Sequence, residues 1–147
     1  MSTTINKKYF IHFFKPITDL KDFEFLSFDK IDDIELNSAE AIYIHDFLDY
    51  VDENSLNKTI RILRSKLING GKLYIQGTDI KSASAALLYG QINSKIYKSM
   101  IYGIGKKSTY TTSDIKEILS DIDGIKILSI NYINASQYYI ECIYNDE

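Results

Sequence analysis

Glycine is absent from the first 69 residues of this chain, and proline occurs once, at Pro16. A phosphate or nucleotide loop relies on backbone that glycine adopts without steric cost, so functions built on such a loop near the N-terminus are excluded. The single cysteine, Cys142, excludes a disulfide framework within the chain. No apolar run reaches the roughly 18 residues of a membrane span. The opening MSTTINKKYF lacks the long apolar stretch and small-residue cleavage site of a secretory signal. The expectation is a cytoplasmic protein with no membrane contact. A net charge of -3 gives no basic excess for nucleic acid. Two histidines 33 positions apart and one late cysteine give no metal-ligand spacing, so no metal is expected.

What remains is ample for one folded unit. The 147 residues are 45% hydrophobic and 13% aromatic, with no linker, repeat or low-complexity stretch, so residues 1–147 read as a single domain. A chain of this length buries roughly 70% of its unfolded surface and needs no staples. Tyr9 to Phe14, YFIHFF, suits a strand covered on both faces. Phe23 to Phe28 and Ala39 to Ile44 read as two more strands. Ser55 to Ile68 is the clearest helix, because Leu56, Ile60, Leu63 and Leu67 form one apolar stripe. Asp52 or Asn54 can cap its start, and Asn69-Gly70-Gly71 is expected to stop it. Lys72 to Gln76 reads as a strand, and Ile80 to Tyr89 and Asn93 to Tyr102 as helices. Thr111 and Asp114 have capping-box spacing at the head of a further helix that Gly124 ends. Ile125 to Ile133 and Gln137 to Tyr144 then pair as antiparallel strands around Asn134-Ala135-Ser136. Strand and helix alternate after residue 39, which predicts an α/β sheet.

Few residues stand out for chemistry. His45-Asp46 falls at the carboxyl end of a predicted strand, where open α/β sheets place their ligand crevice. It is either a polar pair lining a site, with histidine suited to general-base work, or a turn aspartate beside a half-buried histidine. Asp49, Asp52 and Glu53 read as carboxylates favoured at a helix start. Gly103-Ile104-Gly105-Lys106-Lys107-Ser108 is either an anion-binding loop or an ordinary connection, and it lacks Walker spacing. His12 reads as a hydrogen-bonded core or crevice histidine, and Cys142 as a small buried hydrophobe.

From Glu40 onward the ordered motifs resemble class I S-adenosylmethionine-dependent methyltransferases. Glu40 to Tyr50, EAIYIHDFLDY, is similar to the family's fourth strand and the turn after it. Leu67-Ile68-Asn69-Gly70-Gly71-Lys72-Leu73-Tyr74-Ile75 resembles its L-K-P-G-G-K-L-x-I, and Thr78-Asp79 its following P-D. Ile101-Tyr102-Gly103 and the helix headed by Tyr110-Thr111-Thr112-Ser113-Asp114 are similar to later family motifs. The resemblance implies an open, mostly parallel Rossmann-like sheet with a C-terminal antiparallel hairpin. It also implies S-adenosylmethionine as the cofactor if there is one, His45 and Asp46 facing cofactor and substrate, and Asp79, Tyr102, Lys106 and Tyr110 on the substrate side.

The N-terminal part departs from that pattern. The family's first strand ends in a G-x-G turn, and here His12, Phe13 and Phe14 occupy the corresponding positions. Left-handed backbone there costs a non-glycine residue roughly 1–2 kcal/mol. Asp29 matches the acid that holds the cofactor ribose, so His12, Phe13, Phe14 and Asp29 are the remnant cofactor positions. Residues 15–22 and 29–38 are too few for full helical crossovers, so the N-terminal helices are expected to be reduced. The first strands then need cover from a second copy or another subunit, unless they pair antiparallel in a rearranged fold. The leading expectation is a methyltransferase-like protein that has lost S-adenosylmethionine binding, with no cofactor, and acts as a binding or assembly subunit. The alternatives are an active small methyltransferase on a sugar or other small metabolite, its pocket completed by a partner chain, and a small-molecule binding protein using the same crevice.

Overall fold

The computed structural model describes residues 7–12, 22–103 and 106–146. Among the described residues six strands form one sheet: β1 Lys7–His12, β2 Phe23–Ser27, β3 Ala39–His45, β4 Leu67–Thr78, β5 Ile125–Tyr132 and β6 Gln137–Tyr144. Their spatial order is β2-β1-β3-β4-β6-β5. β2, β1, β3 and β4 are parallel, and β6 lies antiparallel to both β4 and β5. The expected mostly parallel sheet with a C-terminal antiparallel pair is therefore present, and β1 and β2 pair parallel despite their short connection. Between β2 and β3 the only described helix is a single 3₁₀ stretch, Phe28–Asp33. Phe13 and Phe14 lie outside the described residues. Among the described residues no helix is long and apolar enough to cross a membrane.

The described residues include four α-helices beside the sheet: α1 Leu56–Lys66, α2 Ile80–Leu88, α3 Ser94–Tyr102 and α4 Thr112–Ser120. The Thr111–Asp114 capping box forms, each side chain accepting from the other residue's backbone N–H. Asn93 caps α3 through Ile96 N–H. The hairpin turn is set by Asn134, whose Oδ1 accepts from the Ser136 and Gln137 amides.

One expectation about α1 is corrected. The helix stops at Lys66, before the glycines, and Leu67 is already extended and paired with Ala39. The carbonyls of Ser65 and Lys66 accept from the amides of Asn37 and Ser38, which end the helix from outside it. Asn69-Gly70-Gly71 instead lies within β4, where the register jumps from Ala39↔Leu67 to Ala41↔Lys72. Gly70 has φ +83°, and a Cβ on Gly71 would sit 3.0 Å from the Ala39 carbonyl oxygen. The pair serves a bulge rather than a helix cap.

The sheet's two faces differ in kind. On one face Ile11, Ile44, Ile75 and Ile140 stand abreast across four strands, with Tyr9, Ile42, Leu73 and Cys142 as the next layer. These pack with Leu56, Ile60 and Leu63 of α1 and Ile115 and Leu119 of α4 in one buried core. Burial pushes the Cys142 thiol up to about 12, which keeps it inert. The opposite face carries Phe25, Phe10, Tyr43 and Tyr74 abreast, then Ser27, His12, His45, Gln76 and Tyr139. Its rings stack with near-parallel planes across the strands: Phe10 on Tyr43 at 5.0 Å, Tyr43 on Tyr74 at 6.0 Å, Tyr74 on Tyr139 at 6.0 Å. Tyr43, Tyr74 and Tyr139 are half-buried.

Candidate functional site

Four parallel strands end together, so their carboxyl ends define one edge. His12, Ser27, His45 and Gln76 stand abreast there. His45 lies between aromatic rings, 5.9 Å from Phe10 and 6.4 Å from Tyr43. Its Nδ1 is 3.7 Å from Asp46 Oδ2. The Tyr43 hydroxyl donates to Gln76 Oε1, which ties neighbouring strands together just below the edge. Asp46 turns the chain out of the sheet with φ +50°, a conformation aspartate tolerates better than most residues, and its amide donates to the Gln76 carbonyl at 2.8 Å.

Behind that turn lies a buried ion pair between two residues that the sequence assigns to unrelated roles. Asp49 is 1% exposed, and Lys106 Nζ lies 3.6 Å from its Oδ2. The ammonium also donates to the Met100 carbonyl, while the Asp49 carbonyl accepts from the amides of Lys107 and Ser108. Burial pushes the Asp49 carboxyl up to about 7, the Lys106 charge pulls it down, and the Asp46 charge adds a further upward push. Asp49 is thus an internal anchor for the chain after α3, not a helix-start carboxylate. Asp52 caps the 3₁₀ turn Glu53–Ser55 rather than α1, accepting from the Asn54 amide at 3.0 Å, and the N-cap of α1 is Ser55, which makes no side-chain cap.

The substrate-side candidates separate in space. Tyr102 is 78% exposed at the end of α3. Tyr110 is buried, and its hydroxyl donates to the Val51 carbonyl at 3.2 Å. Lys106 and Tyr110 therefore both strap onto the 49–51 turn. Asp79 is buried at the start of α2, where it accepts from the Lys81 and Ser82 amides, the Ser82 and Thr112 hydroxyls and the Tyr132 hydroxyl. Burial alone would raise its carboxyl, but these donors hold it below the usual carboxylate range. It joins α2, α4 and β5 and has little acceptor capacity left.

Asp29 stands two residues beyond β2, and a hydrogen bond from Ser27 holds its carboxyl below the usual range. With Phe28, Phe47, Tyr50, Val51 and Lys107 it lines an open pocket of about 350 Å³. The pocket lies between the 3₁₀ stretch after β2 and the turn after β3, at the carboxyl edge. Among the described residues no group of three or more His, Cys, Asp or Glu is arranged to hold a metal ion.

Sequence reasoning missed one further residue. The Tyr138 hydroxyl is buried over Gly77, where a Cβ would lie 2.7 Å from it, and it has no hydrogen-bond partner among the described residues. Its only signal was a glycine in a strand facing a tyrosine on the next strand. Tyr138→Phe is expected to leave stability unchanged or raise it by about 1 kcal/mol, since an unpaired buried hydroxyl costs free energy. Urea denaturation checks this, and a loss above about 1 kcal/mol would reveal a partner for the hydroxyl.

No family model matches the sequence, and no curated protein is similar to it. The fold does match solved structures. A magnesium protoporphyrin IX methyltransferase from Synechocystis, with bound S-adenosylhomocysteine, superposes with TM-score 0.57 at 15% identity, over 84% of this chain and 52% of that one. A chain of the Haloferax volcanii complex between the Trm112 methyltransferase activator and its candidate methyltransferase gives 0.60 at 12% identity, over 88% and 64%. An O-methyltransferase family protein from Burkholderia thailandensis gives 0.57 at 17% identity, over 86% and 37%. The chain spans less than two thirds of the length of each. With identities this low the likeness is one of fold, and that fold is the one seen in class I S-adenosylmethionine-dependent methyltransferases.

Proposed function

We propose that this chain is a methyltransferase-fold protein that has lost S-adenosylmethionine binding and works as a binding or assembly subunit. The observation that carries the reading is the aromatic face of the sheet. Parallel sheets occur almost only with both faces covered. Here Tyr43, Tyr74 and Tyr139 form a half-buried layer beside an open groove of about 500 Å³. A surface of that kind suits a macromolecular partner better than a small substrate.

The residues at the carboxyl edge fit only part of the cofactor. Asp29 and the apolar walls of Phe28, Phe47 and Val51 suit a ribose and a flat base. The methionine end needs close backbone approach after the first strand, and the sequence there has no glycine. Of the candidates, Asp29 supplies the ribose end, while the positions of His12, Phe13 and Phe14 carry no glycine for the methionine end. The substrate-side candidates Asp79, Lys106 and Tyr110 are committed to internal contacts.

The pocket beside Asp29 supports a second reading, a small-molecule site at the same edge, with Asp29, Asp52 and Lys107 as its polar groups. It includes the case of an active methyltransferase completed by a partner chain. Calorimetry with S-adenosylmethionine and S-adenosylhomocysteine separates the two. The expected result is no heat at ligand concentrations up to about 1 mM. Micromolar binding that Asp29→Ala weakens would replace the first reading with the second.

A further inference from the structure

We infer that the α2–α3 hairpin docks on an anionic phospholipid surface. The inference goes beyond the assembly reading and stands whether or not the carboxyl edge binds a cofactor. Leu88, Tyr89 and Tyr102 are each 78% exposed, more than any other large hydrophobic side chain among the described residues, and Ile96 of the same hairpin is exposed too. Leu88 and Tyr89 end α2, Ile96 lies in the first turn of α3, and Tyr102 closes it. The Ser84 and Tyr97 hydroxyls meet at 3.1 Å, which sets the two helices side by side.

Charge selects the occupant. Residues 80–111 contain five lysines and no aspartate or glutamate, in a chain whose net charge is -3. Lys106 is held by Asp49, and Lys107 lines the pocket beside Asp29. Lys81, Lys95 and Lys98 remain, all exposed and in no ion pair among the described residues. The nearest acids along the chain are Asp79, which is buried, and Asp114, which accepts from the Thr111 amide at the head of α4. Lys95, Lys98 and Tyr102 fall on one face of α3, and Lys81, Ala85 and Leu88 on one face of α2. Each exposed face thus joins lysine to a large hydrophobic side chain. On a bilayer the lysine heads reach lipid phosphates while Leu88 and the tyrosine rings enter the interface. No spanning helix is needed for such a contact.

Size and side-chain type separate a membrane from other anionic partners. The helices have nine residues each, so side by side they are about 14 Å long and present roughly 300 Å². A stable protein interface takes about 800 Å² from each partner. Membrane adsorption sums over single side chains and has no such threshold. A nucleic acid would use the lysines and stack on the tyrosines, but it leaves Leu88 and Ile96 without a counterpart.

Vesicle flotation of the full chain tests this, with phosphatidylcholine alone and with about 30% phosphatidylserine. Wild type is expected to bind the anionic vesicles at least about tenfold more tightly, and about 0.5 M salt to release it. Lys95→Glu with Lys98→Glu is expected to weaken that binding at least about tenfold. Leu88→Ser with Tyr89→Ser leaves the charge unchanged and is expected to weaken it at least about fivefold. All four side chains are exposed, so far-ultraviolet circular dichroism is expected to match wild type. A chain that ignores anionic vesicles overturns the inference, as does binding that survives either double variant. A single-stranded oligonucleotide bound as tightly as the vesicles, with no loss on Leu88→Ser and Tyr89→Ser, also overturns it and assigns the lysines to nucleic acid.

Discussion

Lys106→Met is expected to destabilise the protein by about 1 kcal/mol more at about pH 8 than at about pH 5. The reason lies in the Asp49–Lys106 pair. Asp49 is buried, and its carboxyl is pushed up to about 7 from an ordinary value of 3.8. Between those two values the folded state holds a proton that the unfolded state has released. This group's contribution to stability is therefore present in full below the unfolded value and is lost as pH rises through about 7. Lys106 limits that loss by favouring the charged carboxylate. Without the ammonium the folded carboxyl titrates higher still, and the loss continues into alkaline conditions. At about pH 5 Asp49 is protonated in both proteins, so the variant forgoes mainly the contact to Met100. Urea denaturation at the two pH values measures the difference. An equal loss at both would mean that Asp49 is not the titrating partner.

Asp79→Ala is expected to cost about 2–4 kcal/mol, the sum of a lost helix cap and stranded buried donors. Its carboxylate accepts from two amides of α2 and from Thr112, whose hydroxyl is 2.7 Å away and buried. Asp79→Asn retains the cap acceptor but turns an amide donor toward Thr112 or Ser82, so it should fall between wild type and Asp79→Ala. The pH dependence runs opposite to that of Asp49. Asp79 is held below its ordinary value, so its contribution is present above the unfolded value and lost as pH falls through the folded one. Denaturation midpoints in acid test this directly. A variant that loses as little as an exposed substitution would show that α2 and α4 are not joined through Asp79.

The candidate site was legible where local chemistry set it. His45-Asp46 stands at the carboxyl end of its strand as expected, because the apolar run Ala41 to Ile44 gives way there to polar residues. Thr111 and Asp114 form the capping box that their spacing predicted. Asp49 was not legible. Three carboxylates within five positions look alike in sequence, and only packing decides which one is buried against Lys106, 57 positions away. Asp79 and Tyr110 looked equally available for substrate until their neighbours on α4, β5 and the 49–51 turn were in place.

The sequence by itself determined the type and order of the elements, the antiparallel pairing of the last two strands, and the lack of an N-terminal glycine turn. Each of these follows from interactions between near neighbours: apolar periodicity, capping spacing, connection length and the conformational freedom of single residues. Tertiary structure alone decided the end of α1, which Asn37 and Ser38 terminate from another segment, and the use of Gly70-Gly71 as a bulge against β3. It also decided which sheet face takes α1 and α4 and which keeps the aromatic layer. A period-two strand states that two faces exist. Only the path of the helices between strands determines which of them is covered.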